Sequence, residues 1–322
     1  MNASHSIGVR AVAILVMLGL VLAAPKLLSD YNLRVMVVAL MSAIAVLGLC
    51  VTFGWAGLIQ LGQAAFVGIG AYTSTILAMR SGLSFWMTMP VAIVTAAIVA
   101  AVIALPMLRL RGHYLALATV GLNVSAEIVA KNWVSLTGGY DGISAIPGIT
   151  LFGRQLEHDA EYYYLSLAFL IIVALFCSAL RRSHFGRAMM AIRDDELAAG
   201  TSSVPVFRTK ILAFVIGAML AALSGALLAH YSRYIAPQDF ELVRSITLLV
   251  MLIVGGEMSI PGAITGAILL SFAPEWLRFV GDAYLAVFGI GVLLVLVLMP
   301  EGIAGKFQRL LAVIGKRGVG HA

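Results

Sequence analysis

Uninterrupted apolar runs constrain this chain more than any other feature. They fall near residues 11–29, 34–53, 62–79, 85–106, 113–131, 162–180, 210–230, 244–257, 262–279 and 283–299. Several approach the roughly 20 residues that a helix needs to cross a bilayer. Hydrocarbon offers no hydrogen bonds, so a chain inside it satisfies its backbone within helices or around a closed barrel. Barrel strands alternate at a period of two; these runs do not alternate, which excludes the barrel. Charged residues make up 11% of the 322 positions and hydrophobic ones 61%, with mean hydropathy +1.03. A soluble domain carries about a quarter charged residues to wet its surface. The expected fold is therefore an all-α polytopic membrane protein, one transmembrane domain over residues 1–322 with about ten transmembrane helices in a lipid bilayer.

The net charge of +6 does not point to nucleic acid, because the basic residues gather in short loops, where they set orientation. Arg109 and Arg111 mark one cytoplasmic loop, and Arg181, Arg182, Arg187, Arg193, Arg208 and Lys210 a longer one. Lys306, Arg309, Lys316 and Arg317 put the C-terminus on the same side. Residues 132–161 hold Asp141, Glu157, Asp159 and Glu161 against Arg154 alone and read as an external loop. Within it, Thr137–Gly142 and Pro147 carry turn chemistry, and Ile149–Leu151 is short enough to be extended or to lie on the membrane surface. Ten crossings satisfy these assignments with both termini cytoplasmic. Arg10 and the run to Ala24 imitate a signal peptide, but the run continues past Lys26 and further spans follow, which favours an uncleaved first helix. Cys50 and Cys177 sit inside apolar runs and read as core residues.

Three windows, 62–79, 244–257 and 262–279, are short or interrupted by glycine, the pattern of broken helices. The stretch Gly54–Tyr72 resembles Gly255–Gly266 in its density of small residues, which suggests duplicated halves. Small residues let helices approach closely, and that alone also accounts for them. Freed backbone groups in a broken helix can line a translocation path, which makes Gln60 and Gln63 candidates. Ionisable groups at membrane depth are functional candidates by default: Glu127, one turn beyond Asn123, and Glu257. Lys131, at i+4 from Glu127, offers it an interfacial ion pair as the plainer reading.

Residues 181–209 differ from the rest in polarity. Helix formers dominate from Arg187 to Ala199, Gly200 suits a left-handed stop, and Pro205 can open the next span. Met189, Met190, Ile192 and Leu197 form no clean stripe, so a helix here would rest on another protein rather than on lipid, with Asp194, Asp195 and Glu196 offered to that partner. A solvated loop explains the same charges equally well.

The chain has no Gly-x-x-x-x-Gly-Lys-Ser/Thr loop for nucleotide phosphates, no His-Glu-x-x-His metal spacing, no nucleophile elbow and no dense carboxylate relay. It is read as a passive conduit with no cofactor, metal or ATPase site of its own. The competing readings are a secondary transporter driven through Glu127 or Glu257, and a membrane enzyme, for which no clustered catalytic residues are found.

Four blocks in order resemble the permease subunit of bacterial branched-chain amino acid ABC importers over nearly the whole length. They are Gly54–Tyr72; Arg109–Tyr114 with Thr119 to Glu127; Asn132–Gly139; and Ser183–Ala199 followed by Lys210–Ala213. The resemblance implies the ABC importer permease fold in the inner membrane, working with a second homologous permease, two cytosolic ATPases and a periplasmic solute-binding protein. It further implies that residues 181–209 are the segment coupling the permease to its ATPase, through Arg187, Arg193, Asp194, Asp195, Glu196, Ala198 and Ala199. Transport would be ATP-driven alternating access for Leu, Ile or Val, or for urea or short amides, which related permeases carry. Relatives usually have Glu where this chain has Gly200 and Gly where it has Ser203, a departure in the second half of the coupling segment.

Overall fold

The computed structural model describes residues 22–276 except Arg111 and Phe152, together with Gly289. The window 283–299, most of the window 11–29, both termini and the question of an uncleaved first helix lie outside the described residues.

The apolar runs are helices. Helix α1 (Asp30–Leu49) continues into a π-helical turn, Cys50–Trp55, and Gly57 then turns the chain at φ +66°. After an irregular stretch α2 (Gln63–Ser81) begins, and it ends at the left-handed Gly82. There follow α3 (Phe85–Met107), α4 (His113–Asn132) and the single turn α5 (Val134–Thr137). Beyond them come α6 (Asp159–Arg182), α7 (His184–Asp194), α8 (Glu196–Thr201) and α9 (Val206–Ser232). The last two are α10 (Leu242–Gly255), only 14 residues long, and α11 (Ile260–Trp276). Among the described residues, five helices are long and apolar enough to cross a membrane: Asp30–Trp55, α3, α4, α6 and α9.

Helices α1, α2 and α9 form the centre. In the most apolar window of Asp30–Trp55, 83% of residues are buried, against 17% in α4. Small residues make this closeness possible. A Cβ on Gly70 would lie 2.2 Å from Ala222 O, and one on Gly225 would lie 1.9 Å from Val67 O. With no hydrophobic force between helices in lipid, such close contact supplies the cohesion.

Strand is confined, among the described residues, to two-residue segments in the loops: β1 (Ile143–Ser144), β2 (Thr150–Leu151), β3 (Arg154–Gln155) and β4 (Tyr234–Ile235). β2 pairs with β3, and β1 reaches across to β4 just beyond α9, both antiparallel. The stretch around Ile149–Leu151 is thus partly extended. Gly138, Gly139 and Gly142 all take positive φ. This loop end lies opposite the charged end, which carries α7 and α8.

At the charged end the local geometry corrects the sequence reading twice. Gly200 does not stop a helix; it lies inside α8, and the left-handed residue is Ser203, at φ +64°. The helix formers split into two helices because Asp195 leaves helical geometry to cap α8. Met189 and Ile192 are buried on α7 beside Gly186, while Met190 is half-buried and Leu197 on α8 points outward, so the four apolar residues share no single face.

Candidate functional site

Two polar sites lie along the broken helices. The first is at the charged end. Arg193, in the last turn of α7, donates from Nη1 to Gly54 O and pairs through Nη2 with Glu257 Oε1. The turn that holds Glu257 lies on the π-helical end of α1. Cys50 Sγ donates to Glu257 O at 3.2 Å and Trp55 Nε1 to Met258 O at 3.4 Å. A Cβ on Gly54 would sit 2.0 Å from Glu257 O. One guanidinium therefore joins α7, the end of α1 and the connection from α10 to α11. The two small-residue stretches, around Gly54 and around Gly255, meet here.

A second ion pair anchors the hairpin of short helices, with Lys210 Nζ of α9 2.6 Å from Glu196 Oε2. Asp195 Oδ1 accepts from Leu197 N at 2.9 Å and Ala198 N at 3.0 Å, satisfying donors that the first turn of α8 would otherwise leave orphaned. Arg193, Asp194, Asp195, Glu196 and Lys210 line a cavity of about 230 Å³. Arg187 lies apart, its Nη1 donating to Arg182 O at 2.7 Å. Ala199 is buried, whereas Ala198, Asp194 and Asp195 face outward beside Leu197, which is 72% exposed.

The second site surrounds the start of α2, deep in the bundle. The first N–H groups of a helix have no partner within it, and in lipid each would cost several kcal/mol (roughly) if left bare. Side chains from two other helices supply the partners. Ala64 N donates to Ser245 Oγ at 2.8 Å, Ala65 N to Asn123 Oδ1 at 3.0 Å, and Ser245 Oγ donates in turn to Asn123 Oδ1 at 3.0 Å. Asn123 Nδ2 donates to Phe240 O at 3.2 Å, just before α10. Gln63 Nε2 spans Ala45 O at 2.9 Å and Gly217 O at 3.3 Å. All of Gln63, Asn123 and Ser245 are fully buried. Gln60 is buried too, and neither polar atom of its amide has a partner among the described residues.

The residues proposed for a path are therefore not all in one place. Gln63 and Asn123 each make their bonds near the start of α2, while Glu257 stands at the charged end on Arg193. Glu127 pairs with Lys131 at 2.5 Å, and Lys131 also reaches Glu241 at 3.2 Å and lies over the Tyr140 ring at 5.5 Å. Glu127 borders an apolar cavity of about 430 Å³ walled by Ile69, Tyr72, Ile103, Leu122 and Phe240. Sequence reasoning missed Ser245 and Arg244, whose Nη2 donates to Ser42 Oγ at 2.9 Å. The signal was there: both are polar residues opening an apolar window too short to cross a bilayer.

Comparison with known proteins matches residues 31–298 to the family described as branched-chain amino acid transport system, permease component. The high-affinity branched-chain amino acid transport system permease protein LivM of Escherichia coli (strain K12) is 32% identical over 310 residues, covering 89% of this chain and 73% of the relative. LivM of Salmonella typhimurium is 30% identical, covering 90% and 74%. The permease protein LivH of Escherichia coli (strain K12) is 27% identical, covering 82% and 91%. No solved structure gives a significant match.

Proposed function

The chain belongs to the family of branched-chain amino acid transport system permease components, and from that premise we propose that it is the translocation subunit of an ATP-driven importer for Leu, Ile or Val. The observation that carries the mechanism is the double contact of Arg193 with Gly54 O and Glu257. A displacement of α7 would act at once on the π-helical end of α1 and on the turn leaving α10. Those are the segments whose helices break inside the bundle, where freed backbone can line a path.

In this reading α7 and α8 face the cytoplasm and carry the docking surface for the ATPase subunits, with Asp194, Asp195, Leu197 and Ala198 outermost. Glu196 and Arg193 transmit the movement inward, Ala199 seats α8 on the bundle, and Arg187 steadies the start of α7. Loop 132–161 then faces the solute-binding protein, and the exposed α4 faces a second permease subunit. ATP binding and hydrolysis by the partners drive alternating access, because a partner can only shift the equilibrium by contacting the two states differently. Gln60, whose buried amide has no partner among the described residues, borders the path together with Gln63 and Asn123 near the start of α2.

Glu127 and Glu257 are each matched by a cation, which leaves neither as the free carboxylate that a gradient-driven carrier would use. The test is reconstitution with the ATPases, second permease and binding protein, supplied with leucine or with urea. Leucine uptake that requires ATP supports the proposal. In the double variant Arg193→Ala with Glu196→Ala, uptake is expected to fall at least about tenfold, roughly 1.4 kcal/mol, while ATP is still hydrolysed. Normal uptake in that variant, or uptake by the chain alone under an ion gradient, argues against it.

A further inference from the structure

A cavity at the start of α10 contains a charge that the coupling mechanism does not use. Its volume is about 620 Å³, within the range of small-molecule sites, and it is lined by Asp239, Glu241 and Arg244 together with Val38, Leu228 and Val243. Arg244 has no ion-pair partner among the described residues. Its side-chain hydrogen bond goes to Ser42 Oγ at 2.9 Å, near the midpoint of the span Asp30–Trp55. An arginine at that depth is costly and is kept where it meets a ligand or a partner.

The other charges in the cavity are arranged to leave acceptors free. Asp239 Oδ2 accepts from Ala236 N at 2.9 Å, and Glu241 Oε1 from Lys131 Nζ at 3.2 Å, so each carboxylate keeps an oxygen uncommitted by these bonds. A guanidinium carries five donors in a flat fork that matches a carboxylate, and Ser42 occupies one side of it. An anion would meet two carboxylates here, and a cation would meet Arg244. A dipolar ligand with both charges and an aliphatic group suits all three, because Val38, Leu228 and Val243 form an apolar wall. The first turn of α10 adds its own positive end beside Arg244.

We propose that Arg244 receives the α-carboxylate of the amino acid in transit, with Asp239 facing its ammonium group. This rests on the reading of the chain as a permease for branched-chain amino acids and adds to it the residues that recognise the zwitterion.

The experiment uses the complete complex, purified without its binding protein, titrated with leucine and with leucinamide, which keeps the side chain and ammonium but lacks the carboxylate. Wild type is expected to bind leucine about tenfold more tightly than leucinamide, and Arg244→Gln to remove that preference. Ser42→Ala, which only frees the guanidinium, should reduce it two- to fivefold. Equal binding of the two ligands by wild type overturns the proposal whether or not the Arg244→Gln complex assembles, and so does an unchanged preference in Arg244→Gln. If wild type takes up leucine normally in the reconstituted system, such a result removes only this assignment. If wild type takes up no branched-chain amino acid, the functional reading fails as well.

Discussion

The charged end and the start of α2 both hold broken helices in place, but by opposite chemistry. At the start of α2 the partners are neutral and fully buried: Gln63, Asn123 and Ser245 bond to backbone groups, and Ser245 also bonds to Asn123. At the charged end the partners are ions and only partly covered; the side chains of Arg193 and Glu257 are 22% and 33% exposed. A buried neutral network has no substitute partners, so disturbing it costs the full desolvation of each orphaned group. Partly exposed ion pairs can exchange with water at lower cost than a buried network. Under the proposed function the junction at α2 serves as a fixed pivot, and movement enters at the charged end.

The largest effect is expected where helices touch through glycine. Gly225→Val puts side-chain atoms onto backbone 1.9 Å away, and a membrane fraction without folded protein is the expected result; a normal yield would show that α2 and α9 can separate. Next is the pivot. Asn123→Leu removes the acceptor for Ala65 N and Ser245 Oγ and should destabilise by about 1–3 kcal/mol, read as a lower unfolding temperature in detergent. No shift would mean that the junction is not rigid.

At the charged end the effect should appear in function instead. Glu257→Gln leaves Arg193 half-paired and is expected to cut uptake five- to tenfold, roughly 1 kcal/mol in rate, with little change in unfolding temperature. A variant that unfolds as readily as Asn123→Leu would erase the distinction between the two regions. The smallest change is a gain. Ser203→Gly relieves a left-handed residue and should stabilise by about 0.5–1 kcal/mol, measured in the same unfolding assay.

Much of this organisation was legible in the residues, for reasons that differ by region. The spanning helices follow from run length, and the interruptions follow from glycine density around Gly54 and Gly255. The pairing of Glu127 with Lys131 follows from helical spacing. Partners distant in sequence do not: nothing near Gln63 announces Ala45 O or Gly217 O, and nothing near Glu257 announces Arg193. Glycine tolerates positive φ, so Gly200 resembles a helix stop in the sequence, yet Asp195 ends α7 and Ser203 takes the strained conformation. Ser203 stands at φ +64°, a backbone region that glycine enters at no steric cost. At Gly200 a Cβ would meet only Val206 Cγ2, at 3.8 Å, so a larger residue fits there. Arg244 is not legible from the sequence, because a basic residue at the edge of an apolar window resembles a topology signal, and only the packing of α10 against α1 shows how deep it lies.

The most direct measurement places a single reactive cysteine at Leu197, outermost on α8, in the assembled transporter with the native cysteines retained, both of which are buried. Leu197→Cys is expected to cross-link to the ATPase subunit, and to react with a membrane-impermeant thiol reagent only from the cytoplasmic face and only when that subunit is removed. Labelling from outside the cell, or full labelling in the intact complex with no cross-link to any neighbour, would contradict that expectation.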